Sequence, residues 1–114
     1  LYAQFSTEMR SGKIIKIDDG FTKLLGYTED DVKNGLVFKQ FVPDLEYSEI
    51  IAELREQFIE KKYACYRHEV VSKTGEIRMI VAFFTIQNKL LNGHRVLEVS
   101  VADITDYTHF PETK

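Results

Sequence analysis

The sequence predicts an α+β fold, a five-stranded antiparallel sheet flanked by short helices and one longer amphipathic helix. Three observations carry that prediction. Two short β-forming runs joined by a glycine-containing turn open the chain, a central stretch repeats apolar residues at helical spacing, and the last half holds three long β-forming runs separated by turn signals. Such a succession of elements describes an α+β domain with an antiparallel sheet.

Taken in order, Ala3 to Met9 reads as a short strand, Ser11-Gly12 as a turn, and Lys13 to Asp18 as the β-branched second arm of a hairpin. Asp18, Asp19 and Gly20 break that run. Phe21, Leu24 and Leu25 then recur at helical spacing until Gly26 stops them, which predicts a helix of about two turns. Thr28 followed by Glu29, Asp30 and Asp31 supplies an N-cap and acidic first-turn residues for a second short helix that Gly35 closes. Beyond Pro43, residues Tyr47, Ile50, Ile51, Leu54 and Phe58 share one face, so an amphipathic helix from about Glu46 to Glu60 covers the sheet. Three strands follow as a meander, Tyr63 to Ser72, Glu76 to Gln87 and His94 to Ile104, turned by Lys73-Thr74-Gly75 and by a connection containing Asn92-Gly93. In the middle one Met79, Val81 and Phe83 alternate with Ile80, Ala82 and Phe84, so both faces are apolar and should be covered or paired.

With 114 residues, 44% hydrophobic and 12% aromatic, the chain has the size and composition of one self-sufficient domain. The expected division is a single domain over residues 1–107 and a polar tail over 108–114 leading to an output domain of a longer protein. A net charge of -3 with scattered lysines, Lys61-Lys62 being the only adjacent basic pair, argues against nucleic-acid binding. No apolar run approaches the roughly 18 residues of a membrane-spanning helix. The lone Cys65 excludes an internal disulfide and permits a cytoplasmic setting for this segment, whether or not the full-length protein is membrane-attached.

The run from Ile15 through Asp18-Asp19-Gly20-Phe21 to Leu25-Gly26-Tyr27-Thr28 and Val32 resembles the strand, helix and Gly-Tyr turn of the PAS family. Lys73-Thr74-Gly75 sits where that family has its Lys-Asp-Gly hairpin, and Asp103-Ile104-Thr105 matches its terminal Asp-Ile-Thr. The likeness covers about Phe5 to Tyr107. Two departures stand out: Asp18 replaces a common Asn but caps equally well, and Arg67-His68-Glu69 inverts a common Glu-then-Arg order, which would reverse a cross-strand ion pair. The segment Gly35 to Pro43 is variable in such domains and carries little of the resemblance.

The resemblance implies a sensory or regulatory module that acts on an output domain, a histidine kinase, a diguanylate cyclase or phosphodiesterase, or a transcription regulator. It implies that Asp103, Ile104 and Thr105 couple the sheet to that output, and that a homodimer forms through the sheet or flanking helices. Haem-binding relatives draw a ligand His from the helical region, yet Glu46 to Lys62 holds none, and His68, His94 and His109 fall in strands or the tail, where surface or hydrogen-bonded roles are commoner than ligation. Flavin photosensors carry Cys in an Asn-Cys-Arg helix motif, whereas Cys65 lies in a strand, where free cysteines are commonly buried and inert. No cofactor, metal or catalytic set is therefore expected. The candidate ligand site is an apolar space between the longer helix and the sheet, lined by Leu24, Leu25, Ile51, Leu54, Phe58, Phe83 and Val99, which can equally be a solid core. Three readings stand at this point: a small-ligand sensor, a ligand-free interaction and dimerisation module, and a small stand-alone enzyme.

Overall fold

A computed structural model describes residues 2–107; the polar tail expected over 108–114, His109 included, lies outside the described residues. Strands β1 (Tyr2–Glu8) and β2 (Ile14–Ile17) form the first hairpin, and helices α1 (Asp19–Leu25) and α2 (Glu29–Lys33) follow. A 3-10 turn over Phe38–Phe41 leads into α3 (Asp44–Phe58), then β3 (Tyr63–Val71), β4 (Ile77–Leu91) and β5 (His94–Asp103), with a final 3-10 turn over Thr105–Tyr107. All strand pairs are antiparallel in the order β2-β1-β5-β4-β3. The α+β fold with its five-stranded sheet is thus the one the sequence predicts.

Local chemistry explains the boundaries. The Asp18 carboxylate caps α1 by accepting from the Phe21 N–H at 2.9 Å, and it also accepts from the Gln4 N–H at 3.0 Å, which ties the helix start to β1. Gly26 ends α1 with φ of 83°, and its N–H donates to the Thr22 carbonyl at 2.7 Å. Thr28 and Asp31 form a reciprocal capping box on α2. The Lys73-Thr74-Gly75 corner docks on this junction: the Lys73 N–H donates to the Leu25 carbonyl at 2.8 Å, and its ammonium meets Asp31 at 3.0 Å beside the Tyr27 ring. The β4–β5 turn is tighter than expected, because Asn92 and Gly93 both take positive φ (52° and 82°) and close a two-residue hairpin that extends β4 to Leu91.

One face of the sheet is buried and the other open. Ile80, Ala82 and Phe84 of β4 point inward with Phe5, Leu97, Val99 and Val101, and the helical layer covers them. Alternation then forces Phe83 outward, where it is 56% exposed, so β4 is paired on both edges while its outer face stays uncovered among the described residues. The stretch Gly35 to Pro43, which gave little in sequence, buries Leu36, Phe38, Phe41 and Val42.

At Gly20 helix α1 lies tightly against β1. A Cβ there would run into the Tyr2 carbonyl and lie 3.2 Å from the Ala3 Cα, both main-chain atoms that cannot swing aside. In an open helix Gly→Ala gains up to about 1 kcal/mol; here the clash reverses the sign. Gly20→Ala is expected to destabilise by about 1–3 kcal/mol, read as a lowered urea midpoint.

Candidate ligand site and C-terminal relay

Between α3 and the end of β1 lies an open cleft of about 460 Å³. Ile51, Leu54 and Phe58 project into it from one face of α3, Phe84 and Leu97 form its floor on the sheet, and Phe38 closes its inner end. Its mouth is polar, with Glu8, Arg10, Ser48 and Arg55 among the lining residues. A second, inner void of about 10 Å³ lies deeper in the core. Phe38 and Phe84 border both spaces, so they form the partition between them.

The seven residues expected from sequence to line one space fall in three places. Ile51, Leu54 and Phe58 face the cleft, Leu24, Leu25 and Val99 line the inner void, and Phe83 lies across the sheet from both. The position of Phe83 corrects its assignment to the lining, since period-2 alternation cannot bring it to the face that Ala82 and Phe84 occupy. Cys65 departs from its expected burial for the same reason: it is exposed on the outward series of β3. Its main chain is bonded to α3 in both directions, through the Gln57 side-chain amide, at 2.8 Å each.

Sequence reasoning missed the importance of His68. It is only 3% exposed, and it lines the inner void. Its parity with the buried Ala64 and Val70 is the signal that could have found it. Nδ1 lies 2.8 Å from the Glu69 carbonyl oxygen, which can only accept, so Nδ1 carries the proton and Nε2 is left as an acceptor without a partner. A buried acceptor left unmet costs about 1–3 kcal/mol. Burial, the dominant influence, pushes the imidazole below the ordinary histidine value against the opposing pull of the Glu69 carbonyl and the Glu46 carboxylate.

At the end of β5, Asp103, Ile104 and Thr105 are pinned to the start of β4. The Arg78 guanidinium donates to Asp103 Oδ2 at 2.5 and 3.1 Å, while Oδ1 accepts from the Thr105 hydroxyl at 2.6 Å and the Thr105 N–H at 3.0 Å. The Met79 N–H donates to Thr105 Oγ1 at 2.9 Å, and the Ile104 N–H donates to the Met79 carbonyl at 2.8 Å. The cross-strand ion pair thus joins Arg78 and Asp103; Arg67 and Glu69 form no salt bridge among the described residues, and the Glu69 N–H instead meets the Glu46 carboxylate at 3.3 Å. Burial raises the Asp103 carboxyl, but the bonds from Thr105 and Arg78 outweigh it and hold the group below the ordinary aspartate value. Void and C-terminal cluster share one row of the sheet: Ile80 pairs with His68 on one side and with Asp103 on the other. Strand spacing puts the two outer backbones about 10 Å apart.

Asp103→Ala is expected to cost about 2–3 kcal/mol, the scale of hydrogen bonds to a charged group, measured by urea unfolding. A lowered carboxyl contributes stability above the unfolded value of about 3.9 and loses it as pH falls through the folded one, so the acid-unfolding curve of Asp103→Asn should be flatter than wild type below about pH 4. His68 acts in a different window. A depressed imidazole contributes fully above the unfolded value of about 6.5 and loses that contribution as pH falls. Between about pH 7.5 and 5.5 wild type should therefore lose stability that His68→Phe retains.

No family model matches the chain, and no curated protein matches it in sequence. Solved structures match it throughout. A PAS domain from Colwellia psychrerythraea is similar over 92% of this chain and 87% of its own, with 18% identity and a TM-score of 0.81. A PAS domain from a two-component sensor histidine kinase is similar over 90% and 84%, at 14% identity and a TM-score of 0.72. The PAS-B domain of Drosophila melanogaster Cycle, solved with bound ethylene glycol, is similar over 89% and 98%, at 9% identity and a TM-score of 0.73. With the strand order, the helical layer on one face and the pinned Asp-Ile-Thr end already in place, these likenesses identify the fold of the chain as the PAS fold.

Proposed function

We propose that this domain is a sensory module: a small molecule held between α3 and the sheet alters the C-terminal relay, which acts on an output domain. The observation that carries this reading is the shared row His68-Ile80-Asp103, which sets the only orphaned acceptor among the described buried side chains beside the relay. A ligand shifts an equilibrium only by binding one state better than the other, and a contact two strands from the relay, in the same row, offers such a difference. The similar PAS domain of a sensor histidine kinase supports a signalling context, and the Cycle PAS-B domain with bound ethylene glycol supports small-molecule binding by a domain of this fold. The output is a histidine kinase, a diguanylate cyclase or phosphodiesterase, or a transcription regulator, and the module itself catalyses nothing. Among the described residues no helix is long and apolar enough to cross a membrane, and we place this segment in the cytoplasm.

One observation favours a second reading, a ligand-free module that dimerises or binds a protein. The outer sheet face exposes Phe83 (56%) and Ile77 (55%) side by side with half-buried Met79 and Val81.

Native mass spectrometry of the purified domain separates the two: excess mass released on denaturation supports the sensor, and a clean apo mass with a dimer peak supports the second. In the full-length protein, Asp103→Ala is expected to abolish the change in output activity while ligand affinity stays at its wild-type value. Loss of affinity together with output would remove the relay role.

A further inference from the structure

The inner void has one polar side chain, His68, whose buried Nε2 has no partner, and its other lining residues, Leu24, Phe41, Val70 and Val99 among them, are apolar. Its volume, about 10 Å³, is at the lower limit for a single water, and a buried water needs two to four polar partners, where this chamber's side chains offer one. A donor joined to an apolar body suits such a chamber better, because its remaining surface asks for no hydrogen bonds. Phe38, which borders both spaces, sits on a short 3-10 turn beside the 460 Å³ cleft, a volume in the range of small-molecule sites. A displaced Phe38 ring would open the partition that it forms with Phe84.

We propose that cleft and inner void form one ligand site gated by Phe38, and that it takes an uncharged, largely apolar molecule carrying a single hydroxyl or N–H donor, which enters donor-first and bonds Nε2 of His68. The proposal rests on the reading of the cleft as a ligand site and adds the class of ligand. The donor is uncharged because a cation drawn into an apolar chamber would face a neutral imidazole and no carboxylate among the residues lining the void. The Glu69 carbonyl fixes the tautomer in advance, so the acceptor is ready before the ligand arrives.

The test compares indole, which has one N–H donor, with 1-methylindole, which has the same ring and none, on the wild-type domain. Long-range proton–nitrogen correlation spectra of the histidine ring and methyl spectra of Ile51 and Leu54 are recorded during each titration. Indole should move the Nε2 resonance upfield and bind roughly 10-fold more tightly, the worth of one hydrogen bond, and the ratio should fall to near one in His68→Phe. Phe38→Leu, which widens the gate, should strengthen indole binding and keep the preference. Equal affinities with Ile51 and Leu54 moving and Nε2 unmoved would overturn the His68 anchor while leaving the cleft as a ligand site. No movement of cleft or ring with either probe would overturn both. The wild-type spectra decide between these outcomes even if His68→Phe fails to fold.

Discussion

The helical half of the molecule is held to the sheet by interlocked phenylalanine rings. Phe41 meets Phe5 of β1, Phe21 of α1 and Phe38 of its own turn at 5.6, 5.3 and 5.3 Å, each nearly perpendicular. Edge-to-face pairs of this kind add about 0.5–1.5 kcal/mol each beyond the area they bury, and they fix orientation as well as contact. Tyr27 extends the cluster toward the Lys73 hairpin, at 6.2 Å from Phe41. Sheet, short helices and hairpin corner therefore converge on one ring. Phe38 sits at the edge of the cluster, its ring 6.4 Å from that of His68, which is why a core residue can also serve as a cavity wall.

The cleft exists because α3 is moored to one side of the sheet. Gln57 bonds the Cys65 main chain in both directions and Glu46 accepts from the Glu69 N–H, and both contacts fix the helix along β3, the edge strand. Satisfying these edge groups matters more than centring the helix, since an uncovered strand edge is a template for unwanted pairing. Ile50 and Leu54 are buried in that position, while Ile51 and Phe58 remain half-buried over Phe84 and Leu97. The open volume is a consequence of how the edge is covered.

Elements with strong periodicity or turn chemistry were legible in the sequence: the three hairpins, the caps at Asp18 and Thr28, the stop at Gly26 and the face of α3 agree with the structure to within a few residues. Side-chain direction was less so. In a strand apolar on both faces, such as Ile77 to Phe84, composition does not tell which parity faces the core, and Phe83 was accordingly placed on the wrong side. The Phe38–Phe41 turn escaped because a single 3-10 turn has no period to detect, and its aromatic residues acquire their role from partners in β1 and α1. His68 was read by residue type, whereas its surroundings come from long-range pairing with β4.

Parity also explains why a charge pair stands at the end of the chain. The inward series of β4 runs Arg78, Ile80, Ala82, Phe84, and that of β5 runs Leu97, Val99, Val101, Asp103. At one end these rows carry Phe84 and Leu97 on the cleft floor; at the other they carry the Arg78–Asp103 pair, whose aspartate side chain is 6% exposed. An apolar pair at that end would close the core equally well, but it would tolerate small displacements. A carboxylate whose two oxygens bond Arg78 and Thr105 separately has a narrow range of acceptable positions, since such bonds weaken steeply with angle and distance. A shift of the inward rows at the Phe84 end would therefore strain the bonds that hold Asp103. A packed interior passes such shifts on more readily than it absorbs them, because close-packed side chains have few intermediate positions.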